Sequence, residues 1–326
     1  LAHEYGCAFD FLACLAAGRH NYLIGRTPSP KILMKAFAEV KPTVILSVPL
    51  ILEKIYKKMI QPQISKKPVS WVLKMPLLDK VVLNKIRETL MDAFGGEFSQ
   101  IIIGGAPLNA EVEAFLRRIK FPVTVGYGMT ETAPLISFTP WTEFRSQSCG
   151  QVLKGFMNAR IANPDADGVG EIQVRGENVM AGYYKNEQAT AESFTEDGWL
   201  RTGDLGIIDE DGFIYIKGRC KTMLLGPSGQ NIYPEEIEAK INNMPYVLES
   251  LVLQKDTKLV ALVCPDFEAV DADHLTQDQL EVVMEENRKL VNAELATYEQ
   301  INEVRVYTHE FEKTPKKSIK RFLYEA

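Results

Sequence analysis

Three short apolar runs, at residues 42–47, 100–103 and 122–125, alternate with stretches whose apolar residues recur at helical spacing. That alternation constrains the fold more than any other feature, because strands joined by helices pair in parallel and need cover on both faces. Residues 31–39 and 49–60 read as helices, with Pro62 and Pro68 bracketing a loop. Residues 83–94 read as a helix stopping at Gly95-Gly96, and Asn109 as the cap of a helix over 110–119. Glu111 and Glu113 near its start and Arg117 and Arg118 near its end suit the helix dipole.

From about Ser148 the pattern changes. Strand signals at 159–161, 170–175, 206–209 and 212–216 are separated by Asp/Gly turns at 165–168 and 209–212. After Gly218-Arg219 come a helix over 234–241, strands at 250–253 and 259–263, and a long amphipathic helix over 275–295. The expected fold class is α/β: a parallel-sheet subdomain (1–147), a small antiparallel β region (148–220), and a small mobile α+β C-terminal domain (221–326).

Composition excludes several classes. A net charge of -6 argues against a nucleic-acid binder, which presents a basic field. No apolar run reaches the roughly 18 residues of a membrane span. The most apolar stretch, residues 7–17, is interrupted by Asp10 and reads as a buried helix, and Leu1 opens no basic-then-apolar signal pattern. Five dispersed cysteines without a C-x-x-C pair suggest reduced thiols and a cytoplasmic location. The four histidines have no metal-ligand spacing, so a structural zinc is not expected.

Two segments carry chemistry. The strand at 100–103 runs into Gly104-Gly105-Ala106-Pro107, where glycines would let the backbone approach a planar ligand at the carboxyl edge of a parallel sheet. Taken alone, this reads first as a tight turn into the next helix. The run Val125-Gly-Tyr-Gly-Met-Thr-Glu-Thr-Ala-Pro134 also follows a strand and should project from the same edge. It combines an aromatic face for stacking, flanking glycines, a hydroxyl for a phosphate oxygen and a carboxylate for Mg²⁺.

Tyr127-Gly-Met-Thr-Glu131 resembles the Y-G-x-T-E motif of the adenylate-forming (AMP-binding) superfamily, and further segments follow in that family's order. Gly104-Gly-Ala-Pro-Leu108 is similar to its adenine-contacting loop. Gly170-Glu-Ile-Gln-Val-Arg-Gly176 with Met180-Ala-Gly-Tyr-Tyr184 resembles its β-rich core, and Trp199-Leu-Arg-Thr-Gly-Asp204 its ribose-binding motif. Gly218-Arg-Cys-Lys221 is similar to its hinge, followed by Gly229-Gln-Asn-Ile-Tyr-Pro-Glu-Glu-Ile237. The continuation after Lys221 looks most like the long-chain fatty acid–CoA ligase branch.

The resemblance implies roles for named residues. Tyr127 would stack on adenine, with Gly104, Gly105, Ala106 and Pro107 lining the other side and Gly126, Gly128 and Met129 completing the nucleotide loop. Thr130 would bond the α-phosphate and Glu131 would bind Mg²⁺. Asp204 would hold the ribose hydroxyls, with Arg219 adding a contact and Lys221 serving as hinge. The implied reaction couples a fatty acid to ATP, giving acyl-AMP, and then passes the acyl group to CoA. Val125, Ala133, Leu135 and Ile136 would suit an acyl tunnel or equally a core.

Two departures from the family pattern bear on activity. Its Ser/Thr/Gly-rich phosphate loop, placed upstream of the segment resembling Leu1-Ala-His3, does not occur here, so the chain by itself is expected to have little ligase turnover. The C-terminal motif T-P-x-G-K-[IV]-x-R reads Thr314-Pro-Lys-Lys-Ser-Ile-Lys-Arg321, with Ser318 in the lysine's register. Lys317 is the nearest substitute as catalytic lysine and Lys316 the second. The same basic cluster would equally suit a solvated tail, an anionic membrane met peripherally, or the CoA phosphates. Two alternatives stay open: an adenylation enzyme that loads a carrier protein, and a non-catalytic nucleotide-binding fragment.

Overall fold

The computed structural model describes residues 4–23, 25, 30–73, 75, 78–105, 108–314 and 319–325. The chain divides into two units, residues 1–202 with 207–216, and residues 203–206 with 217–326.

The first unit opens with a π-helical segment, Gly6–Ala13, continued by α1 (Cys14–Ala16). Helix α2 (Pro30–Val40) leads into β1 (Val44–Ser47). After it come α3 (Pro49–Ile55) with its π-helical continuation Tyr56–Ile60, α4 (Gln61–Ile64), α5 (Lys67–Val72) and α6 (Leu78–Ala93). Strand β2 (Gln100–Ile103), α7 (Ala110–Arg118) and β3 (Val123–Val125) complete the alternation. The three strands pair in the order β1-β2-β3 and are parallel, as the alternation of apolar runs requires. Ile101 and Ile103 are fully buried, and Phe94, Phe98 and Phe121 pack edge-on or tilted beneath them with centroids 5.6 to 5.9 Å apart. The Asn109 side chain caps α7, accepting from the Glu111 and Val112 amides at 3.0 and 3.2 Å.

Two expectations are corrected here. Pro62 and Pro68 do not bracket a loop: each lies in the first turn of a short helix, α4 and α5. At Pro68 the first-turn N–H has no intrahelical acceptor to lose, whereas Pro62 follows directly on the π-helical turn 56–60, inside a helical run that begins at Pro49. Residues 7–17 are helical but contain no buried residue, and Leu12 and Leu15 are more than half exposed. Apolar composition favoured the helix, but cover depends on what packs against it.

The chain then turns antiparallel. Strands β4 (Tyr127–Gly128), β5 (Leu135–Phe138) and β6 (Gln151–Val152) form one small sheet. Strands β7 (Met157–Ala162) and β8 (Gly170–Gly176) are a hairpin, followed by α8 (Glu187–Ser193), β9 (Leu200–Ile208) and β10 (Ile214–Arg219). The sheet order is β10-β9-β8-β7. Ile136, Ile172, Val174 and Ile214, all at 0% exposure, form this region's core.

The second unit is α+β. After the β11 (Leu224–Leu225) and β12 (Asn231–Ile232) pair comes α9 (Pro234–Ile241), then β13 (Val247–Lys255) and β14 (Lys258–Pro265), α10 (Phe267–Ala272), α11 (Gln277–Asn292) and β15 (Ile301–Val306). Strands β13 and β14 are antiparallel, and β15 joins β14 in parallel. Ile237 and Ile241 of α9 and Leu280, Met284 and Val291 of α11 bury against Val252, Ala261 and Val263. Thr276 and Gln279 form a reciprocal capping box that starts α11. None of the five cysteines is in a disulfide. No described helix is long and apolar enough to cross a membrane.

Candidate functional site

The carboxyl ends of the parallel strands are laced together by backbone hydrogen bonds. The Gly104 N–H donates to the Ser47 carbonyl at 3.1 Å, and the Gly126 N–H donates to the Ile103 carbonyl at 2.9 Å. Both glycine segments therefore leave the sheet at one edge, where ligands of parallel α/β sheets collect. The Tyr5 ring lies against Gly104, where a Cβ would stand 3.1 Å from its Cζ, and the Tyr5 hydroxyl donates to the Ile102 carbonyl at 3.1 Å. Burial raises the Tyr5 pKa, so this phenol stays protonated and donating. Gly105 is exposed with φ +87, and Ala106 and Pro107 lie outside the described residues.

The 126–134 run is less loop-like than its glycines suggest. Tyr127 and Gly128 pair with β5 opposite Ser137 and Leu135, and residues 130–132 make one 3₁₀ turn. Gly128 admits no side chain: a Cβ would lie 1.7 Å from the Pro134 carbonyl oxygen. The buried Thr132 hydroxyl closes the turn, accepting from the Met129 N–H at 3.3 Å and donating to the Pro134 carbonyl at 2.9 Å. Ala133 sits in the left-handed region at φ 51 within this clasp. Thr130 and Gly128 face solvent, and Tyr127 is half-buried.

A second stretch of the same unit holds this turn from outside. Asn178 Nδ2 donates to the Thr132 and Leu135 carbonyls at 2.5 and 2.8 Å, and the Met180 N–H donates to the Glu131 carbonyl at 2.8 Å. The Tyr183 hydroxyl donates to Glu131 Oε1 at 2.8 Å. That bond, followed by burial, raises the Tyr183 pKa.

In the second unit, Asp204 is buried and Arg219 Nε lies 2.7 Å from its Oδ1, an ion pair. The Cys220 N–H donates to the Gly203 carbonyl at 2.9 Å, fixing the backbone beside the pair. Lys221 is exposed in the turn that follows, where the Thr222 and Met223 amides both return to the Arg219 carbonyl. The structure thus brings Asp204 and Arg219 together. Lys316 and Lys317 lie outside the described residues.

Residues 1–184 match the family of AMP-binding enzymes. The chain belongs to that family. Among its relatives, a long-chain-fatty-acid–CoA ligase of Mycobacterium bovis is 32% identical over 296 residues, covering 83% of this chain and 47% of that protein. A long-chain-fatty-acid–CoA ligase of Gallus gallus is 31% identical over 257 residues, covering 71% and 33%. The chain therefore spans about half the length of these relatives or less. Two solved structures show the fold: ATP-bound MatB from Rhodopseudomonas palustris (TM-score 0.72, 24% identity, 98% of this chain and 57% of that one) and the AMP complex of the A-PCP didomain of carboxylic acid reductase from Segniliparus rugosus (TM-score 0.75, 22% identity, 95% and 43%).

In this member of the AMP-binding family, Val125 and Ile136 belong to the core, Leu135 is half-buried and Ala133 is exposed. Sequence reasoning missed Thr132, Asn178 and Tyr183 as supports of the 127–131 motif. Tyr183 was visible inside Met180-Ala-Gly-Tyr-Tyr184, though only as part of a β-rich segment. Asn178 carried no signal, because its partners lie 43 and 46 residues away.

Proposed function

We propose that this chain forms the adenosine-binding and C-terminal part of an acyl-CoA ligase that activates a long-chain fatty acid with ATP and transfers it to CoA. The observation that carries this reading is the 127–131 turn, anchored at the carboxyl edge of the parallel sheet and clamped by Thr132, Asn178 and Tyr183. The naming of its relatives as long-chain-fatty-acid–CoA ligases supports the substrate class.

In this reading Tyr127 offers a ring to adenine beside Gly104 and Gly105, and Thr130 offers its exposed hydroxyl to the α-phosphate. Asp204, paired with Arg219, accepts ribose hydroxyls, since a carboxylate oxygen can accept more than one hydrogen bond. A divalent cation fits Glu131: it is a hard oxygen donor with only Oε1 engaged by a described hydrogen bond. Mg²⁺ is commonly bound by one or two carboxylates together with substrate phosphates. That ion would neutralise phosphate charge, and the protein's own task is positioning. The fatty carboxylate attacks the α-phosphorus and pyrophosphate leaves. The CoA thiolate then attacks the acyl carbon and AMP leaves. We assign Lys221 as the hinge of a mobile C-terminal domain and Lys317, with Lys316 as its alternative, as the adenylation lysine.

The test is product analysis with the full-length protein carrying this chain, offered saturated acids from short to long with ATP, Mg²⁺ and CoA. Long-chain acyl-CoA formed with stoichiometric AMP is the expected result. Acyl transfer only to a pantetheinylated carrier protein would replace CoA as acceptor, and absence of acid-dependent ATP–pyrophosphate exchange would remove the ligase reading.

A further inference from the structure

Tyr183 stands at the end of a turn shaped to aim it. Gly182 takes φ +150, and a Cβ there would lie 2.7 Å from Thr190 Cγ2, so the chain presses against Thr190. Thr190 Oγ1 accepts the Tyr183 N–H at 2.9 Å and donates to the Asn186 carbonyl at 2.8 Å. Asn186 in turn caps α8 through the Ala189 amide. The backbone beneath the phenol is thereby tied to the start of a helix. Its hydroxyl then reaches Glu131 Oε1 across 52 residues of sequence.

The same stretch grips Glu131 twice, by its carbonyl through Met180 and by its carboxylate through Tyr183. A phenol has one proton, and here it goes to Oε1. Among the described residues, no donor reaches Oε2. Packing alone does not account for Tyr183, a residue that is 40% exposed. A free glutamate would have to give up rotamer freedom on meeting a ligand, whereas one already held at Oε1 has surrendered most of it.

We infer that Tyr183 is a positioning residue, fixing the Glu131 carboxylate so that Oε2 faces the divalent cation of a bound nucleoside triphosphate. This rests on the reading of Glu131 given under the proposed function. The Thr190 hydroxyl and the Asn186 cap hold Tyr183 in turn, so the positioning extends from α8 to the nucleotide loop.

The experiment compares Tyr183→Phe, Thr190→Val and Glu131→Gln in the full-length protein carrying this chain. Calorimetric ATP binding is measured across a Mg²⁺ titration, AMP binding is measured without Mg²⁺, and Tm is recorded for each variant. Loss of a partner that orients a metal ligand costs about 10- to 100-fold in metal affinity, and the exposure of Tyr183 places it at the low end. Tyr183→Phe should raise the Mg²⁺ concentration for half-maximal ATP binding about tenfold, with AMP affinity and Tm unchanged. Thr190→Val should shift the Mg²⁺ requirement in the same direction by less, and Glu131→Gln should abolish the Mg²⁺ response. A normal Mg²⁺ requirement in Tyr183→Phe, alongside a lost response in Glu131→Gln, sinks the inference and spares the functional reading. An unchanged Mg²⁺ response in Glu131→Gln, or no ATP binding by the parent protein, sinks both. If Tyr183→Phe lowers AMP affinity and Tm together, the residue is a structural support only.

Discussion

Arg321 Nη1 donates to Glu238 Oε1 at 2.7 Å, and Nη2 of the same guanidinium donates to the Val252 carbonyl at 2.7 Å. The Val252 N–H closes the ring by donating to Glu238 Oε1 at 2.6 Å. One arginine near the C-terminus thus staples α9 to β13. Burial pushes the Glu238 carboxyl up to about 7, against the opposing pull of Arg321.

That shift has a definite sign. Unfolded glutamate titrates near ~4.3, so between that value and about 7 the native state keeps a proton the unfolded chain releases. The stabilising contribution is complete below about pH 4 and lost as pH rises through 7. Urea unfolding followed by circular dichroism should show a midpoint that falls between pH 5 and pH 7.5, with part of that slope absent in Glu238→Gln. An identical slope in the variant would remove the assignment. Arg321→Leu should cost about 3 kcal/mol at pH 8, where the buried carboxyl must either stay ionised without its partner or take up a proton, and less at pH 5.

Gly128 and Gly126 make a matched pair. Gly126→Ala would place a Cβ at ordinary contact, 3.5 Å from Leu135 Cδ1, while Gly128→Ala would drive one into the Pro134 carbonyl. Gly128→Ala is therefore expected to lower stability by about 1–3 kcal/mol through forced displacement of β5 and to abolish AMP binding. Gly126→Ala should stay close to the parent protein in Tm. Equal behaviour of the two variants would mean the turn yields more easily than its geometry indicates.

Asp204→Asn tests the ribose assignment. A hydrogen bond to a charged group contributes about 1.5–3 kcal/mol, so AMP affinity should fall about tenfold or more. Affinity for the 2′,3′-dideoxy nucleotide should hardly change, since it lacks the hydroxyls. Parallel losses for both ligands would assign Asp204 to holding Arg219 instead.

Asn109→Ala removes the cap of α7 and should destabilise the chain by about 1 kcal/mol, read from the urea midpoint with unchanged cooperativity. No loss would show that the neighbouring Glu53 contact to the Asn109 amide suffices.

The parts legible in the sequence were those whose causes are local. The 100–103 strand and the 234–241 helix fall where the apolar pattern places them, and the Asn109 cap is made as its position predicts. The helix read over 83–94 spans Leu78–Ala93, and Leu78, Val81 and Val82 already stand at helical spacing in the turn the reading left out. Pro62 and Pro68 misled because a proline marks a boundary without saying on which side the helix lies. Within the candidate site, the residue types of the 127–131 motif were plain. Its clamp was not, because Asn178 and Tyr183 act through partners distant in sequence. Nor does any periodicity distinguish Thr132, fully buried, from Thr130, exposed two residues earlier.

The clamp on Glu131 has a consequence for biosynthesis. A ribosome that has just extruded Glu131 has made the whole nucleotide motif, yet the phenol that steadies it lies 52 residues further along the message. Until that stretch emerges, the motif has its Thr132 clasp and its pairing with β5 but not the clamp that holds it from outside. Long-range closure of this kind is slow compared with the forming of a helix, so a nascent chain would complete the hold on Glu131 late, after the turn around it has formed.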